Sequence, residues 1–405
     1  MKSSTQTLLL LIILLAYSLA GCKKEEEESI ATQTIPVAGL LSITGDWSSL
    51  GITSKAALEI AVEEVNAEFA ANNLPYRFTL SIYDTKLDPA LALSGLTGFA
   101  SGNFRLVIGP QSSAELAAVK HLADSLGLLV VSQGSTASTL AIANDAVFRY
   151  CPGDQIEGTA MANTMFSSGK QAIVTLARND AGNMGLQASV TSHFQTLGGT
   201  VVSAGNYATN ETDFTTALNA VRTQVVNWSS TYSPSQIGVY LASFDEAVQL
   251  FNQAAGDPVL SGVNWYGGDG FIKNAALISD TVAASFAYAT NFFSPEFGLP
   301  ASAQAVWQPL KAEIVSRCGL QPDAFALAAY DALKVMAELV ETNNGVPADG
   351  SALHSSFFSL SNQHSGATGT VMLNNAGDRA NGSFDYWGLD YSNGVYSWVL
   401  VGQSQ

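Results

Sequence analysis

The feature that most constrains the fold is a regular alternation of short apolar runs with longer segments of helical periodicity, starting at Ile35. A run such as Ile35–Leu41 has the length of a buried strand, whereas Ser54–Phe69 repeats apolar residues at helical spacing. Alternation of this kind is typical of βαβ units, in which helices cover a parallel sheet. We therefore predict an α/β fold with parallel sheets flanked by helices.

The alternation runs twice along the chain. The first set of predicted strands comprises Ile35–Leu41, Phe78–Tyr83, Leu106–Ile108 and Leu128–Ser132. The second set comprises Ala172–Ala177, Thr200–Gly205, Ile237–Leu241 and Asn264–Tyr266. A long helix at Asp323–Glu341 and β-hairpins between Gly369 and Val401 are predicted to follow. Two successive sheets of similar size predict two lobes.

Charge and composition exclude some classes of partner. The 405 residues are 47% hydrophobic, which is enough to fill the cores of more than one domain. Acidic residues outnumber basic ones 34 to 17, giving a formal net charge of −17. Such a charge repels nucleic-acid phosphates and anionic membrane surfaces. We therefore expect no nucleic acid as a partner.

The first 21 residues resemble a bacterial lipoprotein signal peptide. Their apolar run, Leu8–Ala20, is shorter than the roughly 20 residues that span a bilayer. It ends in Leu19-Ala20-Gly21-Cys22, and small residues before a cysteine suit a lipoprotein signal peptidase. We expect Cys22 to be acylated and to hold the protein at the bacterial cell envelope, in the periplasm or on the cell surface. The alternative is ordinary secretion with Cys22 as a free thiol.

Residues 22–34 contain two lysines and the acidic run Glu25–Glu28, which predicts a solvated tether. Beyond Cys22 the chain has Cys151 and Cys318. Outside the cytoplasm these two could form a disulfide, but the sequence does not fix their separation, so both states stay open. None of the four histidines stands at a metal-ligand spacing from the cysteines, so we expect no metal site.

Polar loops follow several predicted strands, at the sheet edge where parallel α/β proteins bind ligands. In the first lobe they are residues 44–51, 109–113 and 133–138; in the second they are residues 183–185, 243–245 and 267–270. Each loop leads into a predicted helix, whose free N–H groups attract an anion such as a carboxylate. Helix capping explains each loop singly. It does not explain why three hydroxyl-rich loops meet at one edge.

Several motifs occur in a set order: Gly45–Gly51; Val107-Ile108-Gly109-Pro110 with Ser113; Val130–Thr136; Phe148-Arg149-Tyr150 followed by Asp154-Gln155; and Ala324-Phe325 with Tyr330–Leu333. Together they resemble the type I periplasmic solute-binding proteins, in particular those similar to the leucine/isoleucine/valine-binding protein of ABC importers. The resemblance extends from Pro36 to about Val401. It implies two Rossmann-like lobes joined by three crossing segments, which close on a ligand. Lobe 1 would hold residues 35–148 and 292–380, and lobe 2 residues 149–291 and 381–405.

The resemblance also implies a site for an amino acid between the lobes. Ser113 and Thr136 would hold its α-carboxylate with backbone amides of the loop that contains Ser135, and the Gly134 carbonyl would accept from its ammonium. Asp269 would supply the opposing charge, although Asp269 also suits a helix cap. The walls of the side-chain pocket would be Trp47, Leu50, Met184, Phe244 and Phe325. Many relatives have an aromatic residue in place of Met184 and a glutamate in place of Asp269, which leaves the ligand side chain open.

The sequence contains no Gly-x-Ser-x-Gly elbow, no phosphate-binding loop and no catalytic Cys/His arrangement, so we expect a binding protein and not an enzyme. By resemblance, it would be a lipid-anchored solute-binding protein that captures a branched-chain or other apolar amino acid. It would deliver this ligand to the permease of an ABC importer and would need no cofactor. The alternative is a ligand-sensing or envelope-assembly lipoprotein of the same fold, because fold alone does not separate these roles.

Overall fold

A computed structural model describes residues 31–404, so the predicted signal peptide and Cys22 lie outside the described residues. The strands are β1 Gln33–Leu41, β2 Tyr76–Asp84, β3 Leu106–Ile108, β4 Leu129–Ser132, β5 Val147–Pro152, β6 Ala172–Arg178, β7 Thr200–Tyr207, β8 Ile237–Ala242, β9 Asn264–Gly267, β10 Phe293–Phe297, β11 Ser365–Gly366, β12 Gly369–Thr370, β13 Asp378–Arg379, β14 Phe384–Ser392 and β15 Val395–Gln403. The helices are α1 Ser48–Ala71, α2 Pro89–Ser101, α3 Ser113–Leu126, α4 Asp154–Ser167, α5 Ala181–Thr196, α6 Thr215–Trp228, α7 Ala247–Ala254, α8 Ala275–Ser279, α9 Thr281–Ala289, α10 Gln304–Cys318, α11 Ala324–Thr342 and α12 Gly350–Ser361.

Two large sheets define two lobes. The sheet of lobe 1 has the order β13-β5-β4-β3-β1-β2, and that of lobe 2 has the order β15-β14-β10-β9-β8-β6-β7. Strand pairs β1–β3, β3–β4 and β4–β5 are parallel in lobe 1, as are β6–β7, β6–β8 and β8–β9 in lobe 2. The predicted α/β fold of parallel sheets flanked by helices is therefore confirmed.

Helices bury the faces of the lobe 1 sheet. Helix α11 packs against α1, and most of its residues from Ala324 to Val340 are buried. Helix α3 starts at a capping box in which Ser112 and Glu115 bond each other's backbone N–H groups. This cap fixes where α3 begins and so places Ser113 at the end of the β3 loop.

The chain passes between the sheets at three places. The first passage lies between β5 and α4, and the third between β13 and β14. The second passage follows β10, which pairs with β9 and β14 in the lobe 2 sheet. The expected boundary at residue 292 is therefore wrong by several residues, because the chain stays in lobe 2 as far as Phe297. Among residues 31–404 no helix is both long and apolar enough to cross a bilayer.

Candidate ligand-binding site between the lobes

A cavity of about 10 Å³ lies where the loops of the two lobes meet. Its walls are Trp47, Ser113, Gly134 and Thr136 from lobe 1, and Gly182, Asn183, Leu186, Phe244 and Asp269 from lobe 2. A space of this size holds about one water molecule. The two lobes are therefore in contact around the site, and a ligand of amino-acid size requires them to move apart.

The hydroxyl-rich edge of lobe 1 is fixed by hydrogen bonds between its loops. The Ser113 hydroxyl accepts a hydrogen bond from the Ala137 N–H at 3.1 Å and shares one with the Ser135 hydroxyl at 3.0 Å. Arg149 donates to the Ala137 carbonyl at 2.6 Å and pairs through Nε and Nη2 with Asp378. The buried guanidinium therefore ties the ligand-side loop to the sheet below it.

Aromatic rings from both lobes meet beside the cavity. The rings of Trp47 and Phe244 stack with their centroids 4.4 Å apart, and Phe325 contacts Trp47 edge-on at 6.1 Å. A Cβ on Gly134 would lie 2.9 Å from the Gln111 carbonyl oxygen and 3.1 Å from the Trp47 ring. Only glycine allows Trp47 and the loop containing Gly134 to approach so closely.

Asp269 forms the acidic side of the cavity. It opens a short 3₁₀ turn after β9, and the N-cap of that turn is Gly268, so the Asp269 side chain does not cap a helix. Its N–H donates to Glu157 Oε1 at 3.2 Å. Burial raises the pKa of Asp269 to about 7. A cationic group placed beside this carboxyl would stabilise its ionised form.

Contacts between the lobes continue at the mouth of the cleft. The Asp245 N–H donates to the Asp46 carbonyl at 2.7 Å, and the Ser49 hydroxyl donates to the Asp245 carboxylate at 3.0 Å. Arg178 forms an ion pair with Asp46 at 2.7 Å. Burial raises the pKa of Asp245 to about 7. The lobes are thus joined by a short stretch at the start of α1 and the loops after β6 and β8.

Not every residue expected in the site reaches the cavity. Met184 is 36% exposed and lies outside the wall, because α5 turns Asn183 and Leu186 inward and Met184 towards solvent. Phe325 and Leu50 lie behind Trp47 and Gly134, and Ser135 supports Ser113.

The disulfide considered between Cys151 and Cys318 is not formed. Both residues are free thiols. The buried Cys151 donates to the Ser135 carbonyl at 3.3 Å, while Cys318 lies at the end of α10 near the Leu320 carbonyl. The two sulfurs are therefore directed to different backbone groups.

The sequence interpretation did not select Asp154 or Glu157 as site residues. Both are fully buried in the first turn of α4, directly after β5. A Cβ on Gly185 would lie 2.3 Å from Asp154 Oδ2, so α5 comes very close to this carboxyl. The sequence signal that could have identified them is a pair of acids three residues apart directly after a strand, because that spacing puts both on one face of the following helix.

Two α/β lobes that enclose hydroxyl, aromatic and acidic side chains in one cleft define a two-lobed ligand-binding protein. The chain belongs to the family described as the receptor family ligand binding region, whose model matches residues 53–392. This family agrees with the expectation of a binding protein and not an enzyme. An uncharacterized protein of Methanocaldococcus jannaschii is 24% identical over 406 residues, covering 95% of this chain and 94% of that relative.

Solved structures show the same fold. The branched-chain amino acid transporter substrate binding protein LivJ of Streptococcus pneumoniae, in complex with isoleucine, has a TM-score of 0.71 at 18% identity, covering 91% of this chain and 99% of the other. A solute binding protein of an ABC transporter from R. palustris, in complex with benzoate, has a TM-score of 0.71 at 18% identity, covering 92% and 96%. The fold of this chain is therefore that of the type I periplasmic binding proteins.

Proposed function

We propose that this protein captures an amino acid with a branched-chain or other apolar side chain between its lobes and delivers it to the permease of an ABC importer. The observation that carries the proposal is the division of polar groups in the cavity wall. Lobe 1 supplies the hydroxyls of Ser113 and Thr136, and lobe 2 supplies the carboxyl of Asp269. A zwitterion needs both, because a charge buried without a partner costs several kcal/mol.

The aromatic pair supports an apolar ligand side chain. Trp47 and Phe244 belong to different lobes, so closure of the lobes brings their two rings together beside the ligand. Such rings contribute a large apolar area at a small entropic cost. The neighbours with isoleucine and benzoate bind ligands that combine an apolar group with a carboxylate, and only isoleucine carries an ammonium.

Calorimetric titration tests the ligand class directly. We expect L-isoleucine or L-leucine to bind more tightly than isovalerate, which lacks the ammonium, and isoamylamine, which lacks the carboxylate. Tighter binding of isovalerate or benzoate than of any amino acid would contradict the proposal. Uptake of the bound amino acid by cells with and without this protein then separates delivery to an importer from sensing.

We also propose that acylated Cys22 holds the mature protein in the cell envelope. The support is the Leu19-Ala20-Gly21-Cys22 sequence after a short apolar run. Cys22→Ser removes the acylated residue, so this variant is expected in the soluble fraction or as an unprocessed precursor after cell fractionation. A processed Cys22→Ser protein that still requires detergent for extraction would contradict the anchor. Cys318→Ser, which leaves Cys22 intact, is the matched control.

A further inference from the structure

A second carboxyl group lies directly behind Asp269. Glu157 comes from the first turn of α4 and is completely buried. Its Oε1 accepts the Asp269 N–H at 3.2 Å, which brings the Glu157 carboxyl next to the residue whose own carboxyl lines the cavity. No donor from residues 31–404 reaches Glu157 Oε2. A buried carboxyl oxygen that has no hydrogen-bond donor is stabilised by a proton on the carboxyl or by a neighbouring cation.

The surroundings of this pair provide no positive partner. On the same helix, Asp154 has its own buried oxygen, Oδ1, without a donor from the described part of the chain. From β8 the Tyr240 hydroxyl faces the three acids, and it too lacks a partner among those residues. From β14 Tyr386 faces Glu157, and Asp323 at the start of α11 adds a further negative charge near Asp269.

Arg149 is the cation whose charge reaches Asp154, and it already forms a bidentate pair with Asp378. Within residues 31–404 no lysine, arginine or histidine forms an ion pair with Asp154, Glu157 or Asp269. The negative charge of the cluster is therefore not balanced by the protein around it. A positive ligand is the natural counterpart.

Two adjacent carboxyls in the interior do not both ionise, because like charges at short distance repel strongly in a medium of low polarity. Burial raises the pKa of Glu157 well above its ordinary value, and the nearby Asp269 raises it further. Burial also raises the pKa of Asp269 to about 7. Above about pH 7 the pair therefore still holds one proton, and the two groups titrate together.

We propose that Glu157 and Asp269 act as one proton-sharing carboxyl pair, and that a ligand ammonium takes the place of the shared proton. This inference rests on the proposed function and names how its cationic subsite selects a ligand. Before binding, the pair carries one proton and one negative charge. On binding, the ammonium hydrogen-bonds Asp269, and the displaced proton passes to solvent.

The exchange determines specificity. A ligand with a protonated nitrogen replaces the charge that the proton supplied, whereas benzoate or isovalerate brings no replacement and adds a further negative charge. Asp269 lines the cavity, where a ligand would contact it, but Glu157 does not line it. Glu157 is therefore a positioning residue, which acts by setting the protonation and orientation of Asp269.

Calorimetric titration with L-isoleucine in borate and in Tris at pH 8.5, where Asp245 takes up no proton on closure, measures the protons released on binding. The ionisation enthalpies of the two buffers differ, so the difference between the two observed heats gives the number of protons released. For the wild type we expect release approaching one proton per ligand. Glu157→Gln removes the shared proton, and Asp269, whose pKa is about 7, is ionised at pH 8.5, so release should fall close to zero. Asp145→Asn is the control, because burial also raises the pKa of Asp145, but this residue lies in lobe 1 beside Lys120 and outside the cavity wall.

Isoleucine binding without proton release, or with equal release in wild type and Glu157→Gln, would overturn the proton-sharing pair and leave the proposed function standing.

If no amino acid binds, the proposed function fails, and the carboxyl pair is tested by the stability of the protein without ligand. The folded state then holds protons that the unfolded chain loses above about pH 4, so stability falls as pH rises towards 7 and beyond. Glu157→Gln, or Asp269→Asn if Glu157→Gln does not fold, should flatten this decline in chemical unfolding. Unchanged slopes would overturn the pair.

Discussion

A single carboxyl, Asp269, carries the largest expected effect on ligand affinity. Asp269→Asn keeps the size of the side chain but removes its negative charge. Loss of one partner from a buried ion pair costs about 3–5 kcal/mol, which lowers affinity for L-isoleucine about 10²–10³-fold or more. The free energy of unfolding should not fall, because Asp269 makes no ion pair within the described part of the chain.

Calorimetry for binding and urea unfolding for stability separate these two quantities. Asp390→Asn is the control: this aspartate is exposed on β14 and should leave both unchanged. If Asp269→Asn binds isoleucine as tightly as the wild type, the ammonium lies elsewhere.

The hydroxyls of Ser113 and Thr136 should each contribute to binding of the carboxylate. Replacing either by Ala should cost about 1.5–3 kcal/mol of binding free energy, the range for hydrogen bonds to charged groups. Ser113→Ala should also cost about 1 kcal/mol of stability, since Ser113 accepts the Ala137 N–H in a buried loop. Unchanged isoleucine affinity in the double variant, measured by calorimetry, would place the carboxylate elsewhere.

Individual residues could be selected from the sequence where a polar loop follows a strand. The loops that contain Ser113, Gly134, Thr136 and Asp269 were selected in this way, the resemblance assigned these residues to the site, and the structure places all four in the cavity wall. Met184 was assigned to the pocket wall from its loop and from the resemblance, and it lies outside the wall. The direction of a helix side chain depends on where the helix begins, and α5 begins at Ala181, earlier than the sequence suggested.

At the scale of elements, the sequence predicted strands with plain apolar runs and missed those that contain charge. Strand β5 is completely buried, yet it contains Arg149, whose charge hides the apolar pattern. Strand β10 likewise contains Pro295 and the buried Glu296. Helix α10 has Pro309 in its interior, which argues locally against a helix. These residues are accommodated by partners that are distant in the sequence. A local sequence pattern contains no information about such tertiary contacts.

The pairing of β5 with β13 should depend on the ion pair between Arg149 and Asp378. Both of its hydrogen bonds are short, at 2.5 and 2.6 Å, and both side chains are nearly inaccessible. Arg149→Met leaves the Asp378 charge buried without a partner, so urea unfolding should show a loss of about 3–5 kcal/mol. Arg222→Met, which breaks an ion pair that is about half exposed at Arg222, should cost at most about 1 kcal/mol. Equal losses in the two variants would contradict the structural role of Arg149.

At the scale of the whole molecule, the contacts across the cleft make closure sensitive to pH. Asp245 accepts hydrogen bonds from Ser49 of lobe 1 and from Asn274 of its own lobe, and it is partly buried where the lobes meet. Burial raises the pKa of Asp245 to about 7, and the nearby charge of Glu246 acts in the same direction. When the lobes separate, water reaches this carboxyl and its pKa returns towards the ordinary value near 4.

The closed form therefore binds a proton that the open form loses, so closure is favoured at low pH and weakens as pH rises through about 7. Small-angle scattering without added ligand should give a larger radius of gyration at pH 8.5 than at pH 5.5. Asp245→Asn cannot ionise, so its radius of gyration should stay the same at both pH values. Asp257→Asn, which alters a partly exposed acid within lobe 2, should behave like the wild type. A wild-type radius of gyration that does not change between these pH values would show that Asp245 does not control closure.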